Sequence, residues 1–481
     1  MEDWTQAFSE EWDAVVLGTG MKECLLSGLL SVAGKRVLHL DRNGYYGGAS
    51  ATLDIHQLFE KFAGAEKPAK ETLGSLRDYN VDMMPKFIMA GGQLVKVLIH
   101  TGVANYMEFK PVDGSSVYNA SKSSPEGYKI AKVPVNPKDA MKSPLLSMTE
   151  KAKMAQFTLW VSTVRADDPK TWVAGTVMKK KLALDTMDGA AFWKYWALEK
   201  KTIEFLMHSC ALYRDESFMA KPALEIIAKM QLYLDSMTRF AGMTSPFLYP
   251  LYGLGELPQA FARLAAVHGG TYMLNRGLEG APMFGEGDLT VEYGPDGKCS
   301  GVKAGEHIAR TKLVLGDPSY FGGKTKKVGQ AVRAIALLDA LPAGLDGGGE
   351  SGQVIFPGGQ VGRTNDLYLF YIGASHKVAP EGKFLAFLST TVELPVLPAD
   401  SPQQIAAREL GAGLQLLKAP LKIFYDAYDL EAPAADGVAD QVFISESYDP
   451  TSHFETAISD VMAIWKRITG KDLVLTDGPP Q

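Results

Sequence analysis

Two glycines and two acids near the start of the chain have the types and spacing for nucleotide chemistry. In W-D-A-V-V-L-G-T-G-M-K-E-C-L-L-S-G, residues 12–28, Gly18 and Gly20 stand where the fingerprint G-x-G-x-x-G lets a pyrophosphate approach a helix N-terminus. Asp41 follows at about the twenty-residue distance at which a carboxylate would hold ribose hydroxyls. The third fingerprint position, however, carries Glu23 instead of a small residue. A carboxylate in the first helical turn can satisfy the positive helix end by itself and would repel a bound pyrophosphate. It is also bulkier than close helix–strand packing prefers. Gly18, Gly20, Glu23 and Asp41 are therefore expected to be a vestigial fingerprint that keeps the fold of a cofactor site and binds no cofactor.

Other reactive groupings are missing from the sequence. The eight histidines are scattered, with no H-E-x-x-H or cysteine-flanked spacing, so no metal site is expected. The three cysteines, Cys24, Cys210 and Cys299, have no paired spacing, which fits a reducing compartment without a disulfide framework. Gly323-Lys324-Thr325 resembles the end of a phosphate loop, but Pro318 stands where its first glycine should be. No catalytic constellation emerges, and a non-enzyme is expected.

The elements that must position the fingerprint can be read around it. Ala14–Leu17 is a short apolar run, as in a parallel strand buried on both faces. A helix over Met21–Ala33 and a second strand over Arg36–Leu40 complete a βαβ unit. Asp54–Phe62 reads as a short amphipathic helix, and Ser121–Pro125 as a loop. Helical patterns then dominate from about Lys138, notably Ser147–Val164, Asp185–Arg214 and Pro222–Ala241. Beyond Thr244, strand and loop alternate, with Ala331–Leu338 among the strands, Glu431–Asp440 among the loops and a helix at Glu455–Ile468. The expected architecture is α/β (α+β): a flavoprotein-like, FAD/NAD(P)-binding-type body from 1–137 and 241–481, with a smaller all-helical domain, 138–240, inserted in it.

A second helix carries charges worth noting. In Tyr252–Asn275, with a helix over Pro258–His268, Leu257, Phe261, Leu264 and Ala265 cluster on one side of a helical wheel, while Glu256 and Arg263 share another, ~10 Å apart along the axis. A solvated face is the plain interpretation. The stiff lead-in Y-P-L-Y-G-L-G-E-L-P and the Gly269-Gly270 stop would also suit a rigid docking surface. Arg239 could simply pair with Asp235, four residues earlier.

The net charge of −6 argues against nucleic-acid binding. The acidic start lacks a signal-peptide pattern, and no apolar stretch is long enough to span a bilayer. A cytoplasmic protein is expected.

At these residues the chain resembles the Rab GDP-dissociation inhibitors, a family shared with the Rab escort proteins. V-L-G-T-G-M-K-E-C-L-L-S-G, V-L-H-L-D-R-N-G-Y-Y-G-G, P-K-F-I-M-A-G-G-Q-L-V-K-V-L, Y-P-L-Y-G-L-G-E-L-P-Q-A-F-A-R-L, G-G-T-Y-M-L-N and S-Y-D-P-T-S-H-F-E occur in the family's order. The resemblance implies a flavoprotein-type fold used without flavin. It implies binding of prenylated, GDP-bound Rab GTPases, slowed GDP release, and their extraction from and recycling between membranes in vesicle transport. Its Rab contacts carry over to Tyr46, Glu256, Arg263, Thr271 and Met273, its mobile loop to Arg239, and its groove for the Rab C-terminal tail to Ile99. The helical insertion is where the family shelters geranylgeranyl lipid. Cytoplasmic localisation with transient membrane contact follows. Gly242-Met243-Thr244 lengthens the turn beyond Arg239 relative to the family. The near alternative is an escort protein that presents Rab for geranylgeranylation, and the remote one a flavin-dependent oxidoreductase.

Overall fold

In the computed structural model, residues 4–134, 147–175, 180–275, 287–345 and 347–476 are described, with Met283, Gly285 and Gly478 besides. The four apolar residues Ala14–Leu17 are fully buried and pair in parallel with Val37–Asp41 on one side and Val314–Gly316 on the other. Thr271–Leu274 and Val442–Ile444 close the two edges, giving a five-stranded sheet with every neighbouring pair parallel. Such a sheet needs cover on both faces. Helix Met21–Val32 supplies one side and packs between helices Glu256–Val267 and Glu455–Thr469. Gly28 makes the first of these contacts close, because a Cβ there would lie 3.3 Å from the Phe261 ring. Phe8, Trp12, Val302 and Ala309, from the start of the chain and a small four-stranded sheet, lie against Val15 and Leu38 on the opposite side.

A second, seven-stranded sheet lies in the order Lys422–Pro433, Thr325–Leu338, Phe384–Thr391, Leu367–Gly373, Gly352–Phe356, Gly114–Ala120, Tyr128–Lys132. All its pairs are antiparallel except that between Gly352–Phe356 and Gly114–Ala120. The strand expected over Ala331–Leu338 begins earlier, at Thr325, and its basic first half pairs with Lys422–Pro433. That partner strand runs into the segment expected to be loop from Glu431. As an edge strand it is half-buried along most of its length and carries Asp426, Asp429 and Glu431, so it lacks the apolar signature of a central strand.

Helices Met148–Thr163, Gly189–Trp196, Lys200–Ser209 and Ala223–Thr238 form the middle of the chain, with one short antiparallel pair, Val173–Ala174 with Lys180–Lys181. Phe157, Phe192 and Ile226 belong to the same apolar cluster as Leu25 and Phe261. The expected boundary at 137–138 lies outside the described residues; at the other end, the last of these helices stops at Arg239. The Asp54 helix is capped as its sequence suggests, with the Asp54 carboxylate accepting from the His56 and Gln57 amides. Among the described residues, no helix is long and apolar enough to cross a membrane.

Candidate functional site

The turn after Ala14–Leu17 has the backbone of a pyrophosphate loop. Gly18 adopts φ +91°, a left-handed conformation suited to glycine, and its amide donates to Leu40 O at 2.8 Å. His39 lies 2.6 Å from the Gly18 carbonyl through Nε2, and burial holds its pKa down to about 4. The helix then starts at Gly20 without a side-chain cap.

The ligand-binding groups of this turn are occupied by the protein itself. Asp41 is fully buried. Its Oδ2 accepts from the Thr19 amide at 2.7 Å and from Thr19 Oγ1 at 2.5 Å. Its Oδ1 accepts from the Asn43 amide, Asn43 Nδ2 and the Tyr320 hydroxyl at 2.7, 2.9 and 3.0 Å. Five donors leave the carboxylate little capacity for a ribose. The Tyr320 ring also covers the turn: a Cβ on Gly18 would come within 3.0 Å of it. The Arg42 guanidinium stacks over the same ring at 4.3 Å.

Glu23 stands in the first turn of the helix, where its own backbone amide favours the charged carboxylate, and Oε1 also accepts from Ser445 Oγ at 2.6 Å, just beyond strand Val442–Ile444. Its other oxygen has no hydrogen-bond partner among the described residues and points beside Gly20. Burial, reinforced by the charge of Asp317 and opposed by Lys22 and Ser445, pushes its pKa up to about 7. Lys22 pairs with Asp460 at 2.9 Å, fastening the same helix to the C-terminal one. What remains of the crevice is a cleft of about 470 Å³ lined by both signs of charge, with Arg333 already paired to Asp426 at 2.6 Å. A flavin or nicotinamide dinucleotide does not fit this set of residues. Nor do the described residues contain a group of His, Cys, Asp or Glu able to hold a metal ion.

At the neighbouring edge of the sheet, no further strand pairs among the described residues. Thr271–Leu274 lies beside Val37–Asp41, with Thr271 opposite Leu38 and Met273 opposite Leu40, and all four of its residues are half-buried. Tyr272 turns inward to His39, ring centroids 4.3 Å apart, and its ring is 6.2 Å from that of Tyr46. Tyr46 thus neighbours this strand through Tyr272, whereas Met273 packs with Val15 and Leu40 on the other face of the sheet. Helix Glu256–Val267 leads into this strand. It buries Leu257, Phe261, Leu264 and Ala265 and exposes Glu256 and Arg263, as its pattern predicts. The two charges do not pair with each other or with another side chain among the described residues. Arg263 instead lies 4.7 Å over the Tyr106 ring. Burial and the nearby charge of Glu108 raise the pKa of Glu256.

The lead-in to that helix is fixed from below. Asp82, 1% exposed, accepts from the Leu254 amide at 3.0 Å and from the hydroxyls of Thr52 and Tyr249. Tyr252, with φ +65°, is left 53% exposed. Sequence patterns did not single out Tyr106, Tyr252 or Asp82, because their importance arises from contacts across the fold.

The remaining candidates lie on two linked helices. Ile99 is on Gln93–His100, half-buried against the main core. Arg239 ends Ala223–Thr238, exposed, and forms no ion pair with Asp235 among the described residues. The second helix is tied to the turn that precedes the first, where the Gly91 amide donates to Ser236 Oγ at 2.9 Å.

Comparisons with known proteins identify the family. The sequence profile described as GDP dissociation inhibitor matches residues 8–479, and the chain belongs to that family. It is similar to guanosine nucleotide diphosphate dissociation inhibitor 1 of Arabidopsis thaliana, at 46% identity over 467 residues covering 97% of each chain. The crystal structure of a Rab GDI from Plasmodium falciparum superposes with a TM-score of 0.85 at 37% identity, over 97% of this chain and 99% of that one. An oxidoreductase from Methanosarcina mazei shares the fold alone, at 16% identity and a TM-score of 0.56 over 94% and 99%.

Proposed function

We propose that this GDP dissociation inhibitor binds prenylated Rab GTPases in the GDP state, slows their GDP release, extracts them from membranes and recycles them, without an enzymatic step of its own. The observation that carries this reading is the match over nearly the whole chain to proteins named for that activity, a Rab GDI among them. The open face supports it. Tyr46, Glu256, Arg263, Thr271 and Met273 would receive the Rab, and discrimination for GDP would come from switch segments that rearrange without the γ-phosphate. Arg239 would belong to a mobile element at the membrane, and Ile99 to the path of the Rab C-terminal tail.

The helical segment 138–240 would act as the domain that shelters geranylgeranyl lipid. Each buried CH₂ of such a chain contributes ~0.8 kcal/mol to membrane anchoring, so a carrier must offer comparable apolar burial together with a protein interface. The protein would then be cytoplasmic, with transient membrane contact.

The test is extraction. Incubated with liposomes carrying prenylated, GDP-loaded Rab, the protein should move Rab into the supernatant, and Rab loaded with a non-hydrolysable GTP analogue should stay on the membrane. Retention of both forms would refute the reading. Support of Rab geranylgeranylation in a transferase assay, without extraction, would favour an escort protein.

A further inference from the structure

We propose that Tyr106 is a positioning residue of the docking face, holding the Arg263 guanidinium so that its N–H groups face outward for an oxygen acceptor on the bound GTPase. The inference rests on the function proposed above and assigns a partner-facing role to a residue outside the expected set.

The geometry supplies the argument. Arg263 stands on the solvent side of its helix with no carboxylate partner among the described residues, although Glu256 shares that side. Its guanidinium is 4.7 Å from the centre of the Tyr106 ring. Stacking on an aromatic ring occupies the flat face of a guanidinium and leaves the N–H groups on its rim available, whereas an ion pair would consume them. A long side chain held in this way also loses less rotamer freedom when a partner docks.

Tyr106 is itself well anchored for a residue 43% exposed. It ends the short 3₁₀ turn Val103–Tyr106, which starts from Gly102 at φ +72°. The Asn105 amide donates to Gly102 O at 3.0 Å, and Val103 and Met107 on either side are buried. That turn also packs against helix Glu256–Val267. The backbone that carries the ring is therefore held in place beside that helix.

Binding of prenylated, GDP-loaded Rab to the full-length protein is measured for Tyr106→Phe, Tyr106→Leu, Arg263→Ala and the Tyr106→Leu/Arg263→Ala double variant, with thermal unfolding of each. Tyr106→Phe keeps the ring and should bind within about twofold of wild type. Tyr106→Leu keeps bulk but loses the ring face, and should bind about 2–5-fold more weakly, the range of an exposed cation–π contact. In the double variant the Tyr106 effect should disappear, since its target is gone. Wild-type binding by Tyr106→Leu, or a Tyr106→Leu effect of full size in the double variant, would overturn the proposal while leaving the function standing. If Arg263→Ala itself binds like wild type, the docking face is misplaced and this proposal falls with it.

Discussion

The closed turn around Gly18 and the open strand Thr271–Leu274 are neighbours across one β-strand, yet their polar groups have opposite fates. At the turn, Asp41 accepts five hydrogen bonds from within the protein, and Tyr320 covers the glycine that a phosphate would need. On the helix that leads into the edge strand, Glu256 and Arg263 stand exposed without ion-pair partners among the described residues. Open α/β sheets bind ligands at the carboxyl ends of their strands. Here that position has become a joint tying strand, helix and the Tyr320 segment together, and the exposed charges without a partner among the described residues lie on the neighbouring helix Glu256–Val267. The comparison predicts that substitutions in the first region act on stability and those in the second on binding.

The largest effect should come from Asp41→Ala, which orphans several buried donors at once. It is expected to lower the unfolding free energy by about 3 kcal/mol or more in urea titrations, whereas Arg263→Ala should stay within about 0.5 kcal/mol. Equal losses would erase the distinction. Arg263→Ala should in turn weaken Rab binding by about 10-fold or more, as for a central interface arginine.

Glu23 sharpens the comparison through pH. Its pKa rises from an ordinary 4.5 to about 7 in the folded protein, so its neutral form is the one that folding favours. The stability it contributes is fully present below about pH 4.5 and is lost as pH rises through 7. Glu23→Gln should therefore be more stable than wild type at pH 8, by about 1–2 kcal/mol, with no gain at pH 4. A Glu23→Gln curve parallel to wild type across that range would show that the buried carboxylate is satisfied as an anion. A smaller effect than that of Asp41→Ala should come from Tyr320→Phe, which removes one of the five donors to Asp41 and should cost about 1 kcal/mol without conferring flavin binding, as judged by visible absorbance after incubation with FAD.

Much of this division was legible in the sequence. The apolar run Ala14–Leu17, the paired glycines and Asp41 specify the βαβ unit locally, and Glu23 at the third fingerprint position signals that the phosphate site is degenerate. The wheel of the second helix separated buried Phe261 and Leu264 from exposed Glu256 and Arg263. What stayed hidden depends on distant partners. Ser445, which receives the Glu23 carboxylate, is 422 residues away, and Tyr320 is 279 residues from Asp41. No periodicity places those hydroxyls. Tyr106 escaped for the same reason, because a helical wheel describes one helix and not the turn packed against it. The edge strand Lys422–Pro433 was missed because its acidic, half-buried face carries little of the alternation that marks a strand with a core side.

The rate of GDP release from prenylated, GDP-loaded Rab tests the central claim most directly. With wild-type protein at the lowest concentration that slows release markedly, Arg263→Ala at the same concentration should lose most of that effect, while a folded Glu23→Gln variant should retain it. Release unchanged by the wild-type protein, or slowed equally by Arg263→Ala, would contradict the account of where this inhibitor meets its partner.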